Sequence, residues 1–127
     1  MNRKIIFTEK APSAIGYYSQ AVVSNGLVYT AGQIPLDPKT GKVVSGGFSD
    51  QVKQTLNNID AVLKASGTDL SRSIKLTVFL TNLSNYAELN SVFKEQFDRV
   101  DPPARSVVEV TGLPKDVLIE IDCIAIL

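Results

Sequence analysis

Histidine is absent from the 127 residues. That excludes Ser-His-Asp and Cys-His catalysis within the chain, and any imidazole metal ligand. The single cysteine, Cys123, excludes an internal disulfide and a cysteine metal cluster. Its apolar surroundings read as those of a small buried hydrophobe, compatible with a reducing compartment. Like charges never run beyond two in a row, and thirteen basic residues balance thirteen acidic ones. Both features argue against a nucleic-acid footprint. No stretch approaches the ~20 apolar residues of a membrane span. Ile5-Ile6-Phe7, after the basic Arg3-Lys4, is too short for the apolar centre of a signal peptide. A cytoplasmic protein is expected. The length and the 44% hydrophobic content are those of one folded domain over residues 1–127, with no repeat, linker or low-complexity tract.

The patterning predicts the order β-β-β-α-β-α-β-β. Lys4 to Phe7 forms a short strand, and Thr8 to Gly16 a loop punctuated by Pro12 and Gly16. Tyr17 to Ser24 and Leu27 to Ile34 flank Asn25-Gly26, which supplies the two positive-φ positions of a type I′ hairpin turn. Simple alternation through the second of these strands sets Val28, Thr30, Gly32 and Ile34 on one face. Pro35 to Gly47 is a connection long enough to be a functional loop or a surface flap. A helix follows, with Ser49 as its cap, Asp50 in its first turn and Gly67 at its stop. Its apolar stripe is Val52, Leu56, Ile59 and Leu63. Ser73 to Leu80 alternates as a half-buried strand. Asn85 and Glu88 have the spacing of a capping box before a second helix striped by Tyr86, Leu89, Phe93 and Phe97. Pro102 and Pro103 end that helix. Arg105 to Val110 and Leu118 to Leu127 are the last strands.

Two helices can cover only one face of a sheet of up to six strands. The uncovered face is polar only in part, because Ile124 and Ile126 follow Glu120 and Asp122 in the last strand. A partly apolar uncovered face argues for burial against other copies of the chain.

Arg105 stands alone at the mouth of a strand. Its guanidinium is a planar five-donor fork suited to a bidentate grip on a carboxylate. It could equally pair with an acid such as Glu120 or cover an apolar edge. Glu120, at the border of an apolar strand, needs a partner or a function if it is buried. Gly32 interrupts a strand pattern, as a bulge or as backbone exposed to a ligand. Tyr18, Thr30 and Asn90 are ordinary residues taken singly.

Six motifs occur in order along nearly the whole chain. They are Gly16-Tyr17-Tyr18-Ser19-Gln20-Ala21, Ala31-Gly32-Gln33-Ile34-Pro35, Asp37-Pro38-Lys39-Thr40-Gly41, Asn57-Asn58-Ile59, Pro103-Ala104-Arg105-Ser106 with Glu109-Val110, and Leu113-Pro114-Lys115-Asp116 before Ile119-Glu120-Ile121. In these the chain resembles the RidA/YjgF family. The resemblance implies an α+β chorismate mutase-like fold of the bacillary type, a mixed six-stranded sheet with two helices on one face. It implies a homotrimer with clefts between chains. The implied activity is hydrolysis of reactive 2-imino acids, formed from 2-aminoacrylate and 2-aminocrotonate, to 2-oxo acids and ammonia. On this reading Arg105 binds the substrate carboxylate with help from the backbone at Gly32. Glu120 activates water, and Tyr18, Thr30, Asn90 and the backbone at Val107 line the cleft. An imine is already electrophilic, so positioning and one acid–base group suffice and neither metal nor organic cofactor is called for. The chain departs from many relatives at Tyr17, commonly Pro, and at Val107, commonly Cys, which rules out a thiol mechanism at that position. The competing expectations are an RNA-acting protein, ribonuclease or translation inhibitor, and a non-enzymatic ligand-binding or chaperone-like trimer.

Overall fold

The computed structural model describes residues 2–127. Six strands form one sheet: β1 (Lys4–Ile6), β2 (Ala21–Ser24), β3 (Leu27–Thr30), β4 (Ser73–Leu80), β5 (Ala104–Glu109) and β6 (Ile119–Ile126). Their spatial order is β1-β2-β3-β6-β4-β5. Every neighbouring pair is antiparallel except β4 and β5. A parallel pair needs a long crossover, and α2 (Tyr86–Gln96) provides it, while α1 (Phe48–Ser66) links β3 to β4. The expected element order and the mixed sheet are both found.

Both helices pack on one face. Val52, Leu56, Ile59 and Leu63 of α1 and Leu89 and Phe93 of α2 meet Leu76, Val78 and Leu80 of β4 and Ile119, Ile121 and Cys123 of β6. These are the 3.6-residue stripes and the period-two faces of the sequence. The other face carries no helix. By register Ile5, Val22, Tyr29 and Ile124 form a row across it, with Ile126 and Val108 nearby, and Ile5, Tyr29, Ile126 and Val108 are exposed. Glu120 and Asp122 share this open face.

Several local expectations are corrected. The cap of α1 is Gly47, whose N–H donates to Asp50 Oδ2 at 3.0 Å, and Gly67 ends the helix at φ 98°. Ser49 lies inside the helix and donates to Glu88 Oε2 at 2.9 Å. Glu88 is thereby engaged elsewhere, and Asn85 makes no side-chain cap on α2. Instead Asn82 Oδ1 accepts from Ser84 N at 2.9 Å and caps a 3-10 turn ahead of that helix. Residues 17–20 do not extend β2, because the buried Gln20 ties them to the preceding loop. Its Nε2 donates to Thr8 O and Pro12 O, and its Oε1 accepts from Thr8 N. Pro35 to Gly47 closes on itself through a Leu36–Val43 bridge and Asp37 N to Lys42 O at 2.8 Å.

The consequential correction is at β3. Val28 pairs with Ala125 and Tyr29 with Ile124, but the next residue breaks the ladder. Cys123 N donates to the Thr30 side chain, Oγ1, at 3.0 Å, and pairing resumes one residue out of step as Gln33 opposite Ile121. One extra residue on this strand is a bulge, and it swaps the faces of everything beyond it. Gly32 therefore lies on the open face with Glu120, whereas Val28 points into the core. Simple alternation from Val28 through Ile34 fails at this point. A similar register shift between Ser73 and Lys75 leaves Ile74 exposed.

Candidate functional site

Strand β6 alternates strictly, so with Ile119, Ile121 and Cys123 in the core, Glu120 must emerge on the open face. There it lies directly against Gly32. A Cβ at residue 32 would overlap Glu120 Oε2 and stand 2.9 Å from its Cδ. Gly32 is thus required for close approach of strand and carboxylate. Reciprocal bonds, Gln33 N to Ile121 O at 2.8 Å and Ile121 N to Gln33 O at 3.0 Å, hold the two backbones together. Above them is a cavity of about 280 Å³ lined by Pro12, Ile15, Tyr18, Ala31, Gly32 and Glu120, among others. Burial raises the Glu120 pKa above the ordinary carboxylate value, and the neighbouring Asp122 charge raises it further. Among the described residues no hydrogen bond holds its carboxylate, which leaves it available to a ligand or water. The Tyr18 hydroxyl accepts from Ile15 N at 3.2 Å.

Arg105 occupies a different place. In the parallel pairing of β4 with β5 it aligns with Leu76 and so points to the helix face. Asn90 Oδ1 accepts from its Nη2 at 2.7 Å, and the Tyr86 hydroxyl accepts from the same nitrogen at 3.2 Å. The guanidinium carbon lies 4.9 Å from the Phe93 ring centroid and 5.5 Å from that of Tyr86. Tyr86, Asn90 and Phe93 fall at i, i+4 and i+7 on α2, one face of a helix. Stacking and hydrogen bonding fix the plane of the fork. Among the described residues no carboxylate pairs with it, and the salt bridge formed is Lys64 to Asp60. Beside it a cavity of about 500 Å³ is lined by Asn90, Phe93, Phe97, Pro102, Pro103 and Arg105, among others.

The structure thus collects Tyr18, Gly32 and Glu120 at one place and Asn90 and Arg105 at another. Within one chain Arg105 and Glu120 share no cleft. Glu120 aligns with Phe79 and Arg105 with Leu76 on β4, an odd separation, so the two side chains leave the sheet on opposite faces. The alternative that Arg105 pairs with Glu120 of its own chain is excluded by the same geometry. Thr30 spends its hydroxyl on the bulge and lines a neighbouring groove with Tyr18 and Tyr29. The Val107 side chain packs against the core, so only its backbone can border a cleft. Tyr86 and Phe93, which the sequence pattern assigned to the helix stripe alone, hold the Arg105 guanidinium. Their spacing to Asn90 was the available signal.

A family model described as Endoribonuclease L-PSP matches residues 8–127. A RutC family protein of Pyrococcus horikoshii is 50% identical over 123 residues, 97% of each chain. The human protein named 2-iminobutanoate/2-iminopropanoate deaminase is 43% identical over 124 residues, 98% of this chain and 90% of that one. Among solved structures, TdcF of Escherichia coli with bound serine superposes with a TM-score of 0.93 at 44% identity, covering 98% of both chains.

Proposed function

The chain belongs to the RidA/YjgF family, and from that premise we propose that it hydrolyses small 2-imino acids to 2-oxo acids and ammonia. The observation that carries this reading is Arg105, a guanidinium held flat by Asn90, Tyr86 and Phe93 with no carboxylate among the described residues to neutralise it. A charge oriented in this way at the rim of a cavity is suited to the carboxylate of a ligand. A relative binds serine, a small amino acid of similar size, and others are named for the imine reaction.

Because Arg105 and Glu120 leave opposite faces of the sheet, a site containing both needs two chains. Exposed Ile5, Tyr29, Ile126 and Val108, on the open face that also carries Glu120, support covering of that face by another copy. We take the assembly to be a closed trimer, in which β5 and α2 of one chain carry Arg105 to the Glu120 face of the next. Clefts form at each seam.

In that cleft the substrate carboxylate lies on the free N–H groups of Arg105 and its C2 faces Glu120. Glu120 takes a proton from water as the water oxygen bonds to C2. The C=N electron pair moves onto nitrogen, which is protonated. The carbinolamine then collapses: Glu120 accepts the proton of the new hydroxyl and returns it to the amino nitrogen, the C2–N bond breaks, and ammonia leaves as the 2-oxo acid forms. The raised pKa of Glu120 suits a group that must both accept and return a proton. The test couples the purified protein to a pyridoxal-phosphate dehydratase acting on serine or threonine and follows imine decay. Acceleration over spontaneous hydrolysis is expected, and its absence would remove the proposal. Carboxylate binding without turnover would instead favour a ligand-binding role.

A further inference from the structure

We infer that Asn58, backed by Gln51 and Gln54 on the same helix, is a positioning residue that sets the gap between Gly32 and Glu120. The inference rests on the proposed role of Glu120 toward water. Asn58 belongs to the Asn57-Asn58-Ile59 motif, lies in α1 on the far face of the sheet, and lines no cavity of the site. It is 1% exposed. Its Nδ2 donates to Ile34 O at 3.1 Å and to Leu36 O at 3.0 Å, and its Oδ1 accepts from Gln54 Nε2 at 2.9 Å. Both amide hydrogens and the carbonyl oxygen are therefore engaged, which fixes the orientation of the amide. Two turns earlier on the same helix face, Gln51 Oε1 accepts from Leu118 N at 2.8 Å.

The two segments so held are those that form the site. Ile34 and Leu36 continue the strand that carries Gly32, and Leu118 opens the run that carries Glu120. Neither segment is part of a regular ladder at the point of contact. The bulge at Thr30 has interrupted β3, and β6 begins only at Ile119. The Ile34 carbonyl accepts from Leu36 N at 2.8 Å as well as from Asn58, and the Leu36 carbonyl takes the second Asn58 amide bond. One rigid helix thus grips both banks of the gap in which the Glu120 carboxylate touches Gly32. Spacing there is tight enough that a small displacement would move the carboxylate relative to bound water. Arg105 stands on another element and is untouched.

The experiment compares Asn58→Leu, Gln54→Ala and the control Thr55→Val. Thr55 is equally buried on α1 and its hydroxyl bonds Gln51 O at 2.8 Å without reaching the site. All three are expected to unfold at lower temperature. Asn58→Leu should lower kcat about tenfold or more with KM within about twofold, because misplacement costs rate while the carboxylate grip stays. Gln54→Ala should lower kcat less, and Thr55→Val should keep it. Wild-type kcat in a folded Asn58→Leu, or a kcat loss in Thr55→Val matching its loss of stability, would overturn the inference. Should Asn58→Leu not fold, Gln54→Ala decides, and an unchanged kcat there overturns it. A wild-type protein without turnover would sink the proposed reaction and not the clamp. The clamp is then read from the ¹³C resonance of the Glu120 carboxyl, expected to move in Asn58→Leu and Gln54→Ala but not in Thr55→Val. A resonance that stays put in both would overturn it.

Discussion

Replacing Gly32 by Ala should lower activity far more than stability. The added methyl would overlap Glu120 Oε2, stand 2.9 Å from Cδ and 3.1 Å from Cγ. No positive φ is involved at this residue, so the backbone accepts alanine and the whole effect comes from the methyl. Overpacking a rigid core costs about 1–3 kcal/mol. Here the obstructing atoms are the end of one half-buried side chain, which escapes by rotating, at an off-rotamer cost of about 0.5–1.5 kcal/mol. Stability should fall by about 1 kcal/mol, a drop in Tm of roughly 3–6 °C for a domain of this size. Turnover has no such escape. Rotation removes the carboxylate from its water, and a positioned acid–base group contributes about 10²–10⁴-fold. The coupled imine assay should show kcat reduced at least about 10²-fold, with KM nearly unchanged because Arg105 is untouched. Gly112→Ala is the control, since the same methyl meets nothing within 4 Å there. Normal turnover in a folded Gly32→Ala, or equal losses in the two variants, would refute the reasoning.

Arg105→Lys should weaken carboxylate binding about 10–150-fold, the loss of a charged hydrogen bond worth about 1.5–3 kcal/mol; titration calorimetry with a small 2-oxo acid checks it, and wild-type affinity would remove the clamp. Glu120→Gln should still bind the acid but turn over slowly, measured in the coupled assay. The same variant tests linkage. The folded-state pKa of Glu120 is raised, so the folded chain holds that proton more tightly than the unfolded chain, and stability is lost as pH rises from the ordinary glutamate value through the raised one. Glu120→Gln should therefore unfold at a higher temperature than wild type at neutral pH, with the difference shrinking below the unfolded-state pKa; a difference independent of pH would contradict the burial argument. Sedimentation equilibrium should give three times the chain mass, and a monomer would disprove the shared cleft.

Most of the fold was legible because it rests on local rules. The hairpin at Asn25-Gly26 has φ 50° and 79° as its residues require. The stripes of α1 and α2 and the alternation of β4 and β6 are periodicities of single segments. What failed was decided by partners distant in sequence. Ser49 lost the cap to Gly47 because Asp50 reaches back to that amide and Glu88, 39 residues away, takes the Ser49 hydroxyl. Residues 17–20 left the sheet because Gln20 found the carbonyls of Thr8 and Pro12.

At the site the division is sharper. Residue type and motif marked Arg105 and Glu120 as candidates, and Gly32 as a place where backbone comes close, as it does against Glu120. Their grouping was not readable in the chain. Whether two side chains meet depends on strand order, on the parity of their register across β4 and on a bulge at Thr30 that inverts the faces beyond it. These follow from long-range pairing, in which a shift of a single residue moves every later side chain through the sheet.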